Sequence, residues 1–230
     1  MLVDPPRPDP DPPSVRERLF LIAHDEDKNF RPRLHLPALG IGLAGAAVID
    51  LLIANRLHIT AGTADLTDYF DHSPTGDPVT DHVLRTVRTL TPRPPLSALL
   101  TLLGPDLYER TLGQLVAAGV LLRTSRRIRA TYRPADIATM VRIRAKVRYR
   151  LNGDHDNNVV TDSLCALVSA LQLHDCLLFF LSTSEIEALI QPVIRRIPEL
   201  AADGTPITAI PSVAVAVRHA VGDLATAVFR

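Results

Sequence analysis

The chain has 230 residues, 47% of them hydrophobic, and 25 Lys+Arg against 25 Asp+Glu, giving zero formal net charge. That is ample apolar material for one large domain or two small ones, and the charge balance excludes a uniformly basic coat for nucleic acid. The two cysteines, Cys165 and Cys176, stand among apolar residues and read as reduced, buried thiols of a cytoplasmic protein, not as a disulfide framework.

Residues 1–13 (MLVDPPRPDPDPP) hold six prolines and three aspartates. They lack the apolar surface to order themselves and predict a disordered tail ahead of a single domain over 14–230. No basic segment followed by an apolar run is present there, so no signal peptide is expected. Ser14 is the expected N-cap of a first helix, with Glu17 completing a capping box. A polar turn follows, and then residues 36–55 (LPALGIGLAGAAVIDLLIAN), in which no charge precedes Asp50. This stretch predicts the buried central helix of an all-α bundle, its small residues letting neighbouring helices come close.

Residues 56–60 alternate as a short strand, and 62–73 supply a second strand or an ordered loop. Asp77 caps a helix that starts at Pro78 and carries Val79, Val83, Leu84 and Val87 on one face. Gly104 and Pro105 predict a break between two helices, 96–103 and 107–118. Residues 120–134 predict a β-hairpin with a basic tip. Residues 141–150 (VRIRAKVRYR) alternate like a strand, yet length and the proline at 134 favour a helix. Residues 159–173 predict a second buried helix, 177–181 continue in the core, and helices over 184–194 and 212–229 close the bundle. The fold class is therefore all-α, a helical bundle around a central buried helix, with short β-hairpins.

Six segments carry a family resemblance: RERLFLIAHDEDK, GLAGAAVIDLLIANRLHI, SPTGDPVTDHVLRTVR, YERTLGQLVAAGVL, CALVSALQLHD and the terminal TAVFR. In this order and spacing the chain resembles the Golgi phosphoprotein 3 family. The resemblance implies a largely helical fold with a protruding hairpin, and a non-enzymatic adaptor. Eukaryotic members bind phosphatidylinositol 4-phosphate on Golgi membranes and hold glycosyltransferases there. It further implies a lipid site made of a tryptophan, an arginine in the central helix and two arginines three apart. Those positions are His35, Ala44, Pro105 and Tyr108 here.

The remaining functional signal is a charge asymmetry. Ten of the 25 basic residues fall within positions 123–150, against one acid, Asp136. Such a cluster attracts anionic lipid, so Arg123, Arg126, Arg127, Ile128, Arg129 and Arg133 are the expected membrane contacts. Arg31, Arg33, His35, Tyr108 and Arg110 are the candidate headgroup pocket. The expected partners are an anionic membrane surface and an unknown protein. The alternative is a winged-helix-like nucleic-acid binder using the same hairpin, with Arg110 and Gln114 as its base readers. Residues 24–27 and 154–156 hold acids and histidines without metal-ligand spacing, and no phosphate loop or nucleophile elbow is present. No catalytic residue, metal or cofactor is expected.

Overall fold

In the computed structural model the described residues are 14–26, 29–67, 73–125, 130–153, 158–177, 180–201 and 205–227. They form eight α-helices and three two-stranded antiparallel hairpins. The predicted tail, 1–13, and the hairpin tip, with Arg126, Arg127, Ile128 and Arg129, lie outside them.

Helix α1 (Val15–Ile22) is buried along its whole length, Arg16, Glu17 and Arg18 included. The amides of Val15, Arg16 and Glu17, which have no partner within the helix, all have side-chain acceptors. Glu17 N–H reaches Ser14 Oγ at 3.1 Å and Arg18 N–H reaches the Ser14 carbonyl at 3.2 Å. The Val15 and Arg16 amides donate to the Asp50 carboxylate at 2.7 and 3.2 Å. Strands β1 (His24–Asp25) and β2 (Arg31–Pro32) pair beyond it, across the predicted polar turn.

Helix α2 (Leu36–Ile53) is the predicted centre. Every residue from Leu39 to Ile49 is buried, as are Leu51 and Leu52, and the helix packs against five others. Its approach to α4 (Leu96–Ala117) is set by glycine, since a Cβ on Gly40 would collide with the Gly104 carbonyl oxygen. Two described segments, α2 and Pro206–Thr226, are long and apolar enough to cross a membrane by length and composition. The first is enclosed by protein, and α8 (Ile210–Ala227), in the second, packs against α2, α4 and α6.

Strands β3 (Leu57–Thr60) and β4 (Thr63–Leu66) form a tight hairpin. Its two loop residues, Ala61 and Gly62, both have positive φ, as a type I′ turn requires. Asp77 caps α3 (Pro78–Thr89) as expected, accepting from Val79 N–H at 3.0 Å and Thr80 N–H at 3.4 Å.

The predicted break at Gly104 and Pro105 is absent: α4 runs unbroken through both. Its buried positions, Leu96, Leu99, Leu100, Leu103, Leu107, Thr111 and Leu115, keep helical spacing past the proline. Pro105 itself points to solvent, where a missing amide costs least. Packing along both halves outweighs the local preference.

Strands β5 (Leu121–Ser125) and β6 (Ala130–Pro134) are the arms of the predicted basic hairpin. Arg123 stands opposite Tyr132, and Leu122 opposite Arg133. The next segment is helical, α5 (Ile137–Leu151), capped by Asp136. Met140, Ile143, Val147 and Leu151 face the core, while Val141 and Tyr149 are exposed. The strand-like alternation thus comes from two apolar stripes on one helix, one turned inward and one outward.

Helix α6 (Val159–Ala170) is the second buried helix. A short 3₁₀ turn (His174–Cys176) leads to α7 (Thr183–Arg196), which begins with a complete capping box from Ser182 and Glu185. Of the stretch expected in the core between them, Leu177 is buried, but Phe180 is 98% exposed and Leu181 is exposed too. Phe180 and Leu181 stand just ahead of the Ser182 cap, outside both flanking α-helices, where neither helix packs them inward. Cys165 and Cys176 are free, buried thiols, and burial pushes the Cys176 thiol up to about 11.

Candidate functional site

The basic segment divides once its partners are known. Arg144 is bound by Glu26 and donates to the His24 carbonyl at 3.0 Å. Arg142 pairs with Asp136 at 3.3 Å. Arg150 is buried and holds Asp162 through two bonds, Nε–Oδ1 at 2.5 Å and Nη2–Oδ2 at 2.9 Å. Among the described residues of the segment, Arg123, Arg133 and Arg148 are exposed and make no ion pair. Three of the ten basic residues are therefore held by carboxylates, and the three described ones without an ion pair sit on the hairpin arms and the outer side of α5.

The five candidate headgroup residues do not converge. Arg31 and Arg33 line a cavity of about 380 Å³ with Asp25, Gln172, Asp175 and Cys176. Arg33 lies 3.7 Å from Asp25 and 3.9 Å from Glu26. Tyr108 lines a different cavity, of about 280 Å³, between the start of α2 and the middle of α4. His35 is exposed ahead of α2, and Arg110 is exposed and paired with Asp106 at 3.6 Å. Arg31, on β2, and Arg33, just after it, line one cavity, and Tyr108, on α4, lines the other.

The Tyr108 cavity is apolar. Leu36, Pro37, Ile41, Pro105 and Leu224 form its walls, and its charged lining residue is Glu109. Behind it, His24 stacks on Phe20 and Phe30, each at 4.4 Å between ring centroids. His24 Nδ1–H donates to the Phe20 carbonyl at 2.6 Å, so Nε2 accepts from the Tyr108 hydroxyl at 3.2 Å. Burial drives the His24 pKa down to about 4 and pushes the Tyr108 phenol up to about 12. His24 is thus a neutral core residue that orients Tyr108. Among the described residues no cluster of three His, Cys, Asp or Glu is placed to hold a metal ion.

A buried polar network joins α1, α2, α3 and α4, and sequence reasoning missed it. Arg16, fully buried, donates to Asp77 at 2.8 Å, Gln114 at 2.9 Å and Thr111 at 3.1 Å. Asp50 stands beside it, and burial pushes its carboxyl up to about 7 against the pull of the Val15 amide and Arg16. The clue in the sequence is Asp50 itself, a lone carboxylate at the end of an apolar run. Gln114, proposed as a base reader, is engaged inside this network.

The network and the histidine give a pH prediction with opposing signs. Asp50 binds protons more tightly folded (about 7) than its ordinary 3.8, so its contribution to stability falls as pH rises from 4 to 7. His24 binds them less tightly folded (about 4) than its ordinary 6.5, so its contribution rises over much of the same window. The two offset each other. Asp50→Asn should therefore leave stability rising between pH 4.5 and 7, and His24→Gln should leave it falling, each by on the order of 3 kcal/mol. Urea midpoints at the two pH values measure this; parallel profiles for Asp50→Asn and the parent would show that Asp50 titrates normally.

The family described as Golgi phosphoprotein 3 (GPP34) matches residues 15–224, nearly the whole chain. The chain belongs to the Golgi phosphoprotein 3 family. No curated protein matches it significantly. The four positions aligned with the family's lipid site can now be placed. Pro105 and Tyr108 line the apolar cavity, His35 lies exposed just before α2, and Ala44 is wholly buried inside α2. None supplies the guanidinium fork that grips a phosphate, and Glu109 adds a negative charge to the apolar cavity.

Proposed function

We propose that this member of the Golgi phosphoprotein 3 family is a non-enzymatic cytoplasmic adaptor that docks peripherally on anionic membranes through the 123–133 hairpin. The observation that carries the reading is the division of the basic segment. Arg142, Arg144 and Arg150 turn to carboxylates, while Arg123 and Arg133 stay exposed without an ion pair on a hairpin. Charges held outward in this way, on rigid arms, are free to meet lipid phosphates. Arg31 and Arg33, lining their own cavity, are the headgroup subsite of this reading. Recognition is of anionic headgroups in general, because the apolar Tyr108 cavity does not suit a phosphoinositide.

Binding is then mainly Coulombic. The protein should sediment with phosphatidylglycerol-containing vesicles at 0.1 M salt and be released at 1 M, as the Debye length shrinks from ~10 to ~3 Å. At ~1 kcal/mol per basic residue, Arg126→Glu, Arg127→Glu and Arg129→Glu together should weaken binding at least ~100-fold with the helical circular dichroism unchanged. Undiminished binding of that variant would remove the hairpin from the site, and no binding by the parent would sink the reading. A DNA mobility shift run in parallel should show no complex. The predicted pair of short helices is one helix, and its solvent face places Asp106 and Glu109 beside Arg110, the wrong charge balance for a groove.

A further inference from the structure

Helix α5 buries one apolar stripe and exposes another. Ile137 is 56% exposed, Val141 55% and Tyr149 65%. Scattered exposed apolar residues need no explanation, but these recur at intervals of four and eight residues, which places them on one side of the helix. With 3.6 residues per turn, Ile137, Val141, Arg148 and Tyr149 fall within an arc of ~120°. Arg148, exposed and without an ion pair, lies inside that arc. Arg133, likewise exposed and unpaired, stands four residues before Ile137 on the adjoining strand, beside the exposed Leu122.

We propose that this outer face of α5 lies flat on the anionic bilayer beside the hairpin, as an interfacial helix. This rests on the membrane reading above and adds to it a second, apolar contact. Charge complementarity selects the occupant. Arg144 and Arg150 are paired with Glu26 and Asp162, so Arg133 and Arg148, exposed and without an ion pair, are the arginines at this face that meet lipid phosphates. An interfacial helix needs this combination: a shallow apolar stripe for the acyl boundary and arginines at headgroup level. Tyrosine, apolar in body and polar at its tip, suits that depth. The helix is held rigidly for the task, because its opposite side is packed through Met140, Ile143, Val147 and Leu151.

The chain contains no tryptophan, so one introduced at the face reports on it without background. Tyr149→Trp and, independently, Val141→Trp are added to vesicles of equal parts phosphatidylglycerol and phosphatidylcholine. The emission of both should shift to the blue and be quenched by lipids brominated in the acyl chain. Phe180→Trp, at a strongly exposed aromatic away from α5, should stay unshifted. Replacing Ile137, Val141 and Tyr149 together with serine should weaken vesicle binding ~10-fold or more while Arg126, Arg127 and Arg129 are intact. If Tyr149→Trp and Val141→Trp sediment with vesicles but their emission does not move, α5 stays off the membrane and this inference fails alone. A shift only at Phe180→Trp would place the membrane on another face and overturn it. A blue shift that grows with protein concentration before lipid is added would assign the stripe to self-association and overturn it likewise. Absence of sedimentation by the parent would instead remove the membrane reading itself.

Discussion

Arg16→Met should destabilise the protein by ~3–5 kcal/mol in urea unfolding, among the largest effects of any single substitution here. Methionine fills much of the same volume, so little of this would be a cavity. The loss comes from Asp77, Gln114 and Thr111, which would lose their shared donor inside the four-helix junction. Asp50 would also lose the positive charge that helps it ionise, so its pKa should climb further. Thr111→Val, which removes one neutral acceptor from the same guanidinium, should cost only ~1 kcal/mol. A loss below ~1 kcal/mol for Arg16→Met would mean that the network holds no net stability.

Arg150→Met should cost a similar ~3–5 kcal/mol, for a related reason at a different junction. Its partner Asp162 is fully buried, and two hydrogen bonds from one guanidinium satisfy it. Removing the arginine strands a carboxylate between α5 and α6. Removing both charges does not, so Arg150→Met combined with Asp162→Leu should recover most of the lost stability. If the double variant is as unstable as the single one, the pair matters through shape and not through charge. The helical signal of the double variant should survive, and so should the vesicle binding proposed above, because the pair is buried in the core.

The family match over residues 15–224 and the helical architecture agree with what the sequence implied. The agreement is closest where the cause is local. Ser14 and Asp77 cap the helices that follow them, because a short polar side chain needs only the next turn of backbone to bond. The β5–β6 arms lie where residues 120–134 predict a hairpin. The apolar run of α2 predicts a buried helix, since it offers solvent no polar face, and the structure encloses it in protein.

Reading from the sequence failed where the cause lies far along the chain. A proline followed a glycine at 104 and 105, and that pair signals a break; the stripe of leucines on both sides, packed on α2, kept the helix whole. The sequence groups five residues into one headgroup pocket, but Arg31 and Arg33 line one cavity, Tyr108 lines another, and His35 and Arg110 line neither. The basic cluster from 123 to 150 was visible as a count, but its division was not. Arg144 meets Glu26 across 118 residues of chain, and Arg16 meets Gln114 across 98.

By itself, then, the sequence determined where helices begin, which one is central and that positive charge gathers in one segment. Each depends on neighbours within a few residues, or on composition. Only the tertiary structure decided which arginines are neutralised, that Arg16 and Asp162 are buried, and that α5 carries its second apolar stripe outward. Ion pairing and burial are set by residues brought together from distant positions, and the spacing of side chains along the chain holds no record of that meeting.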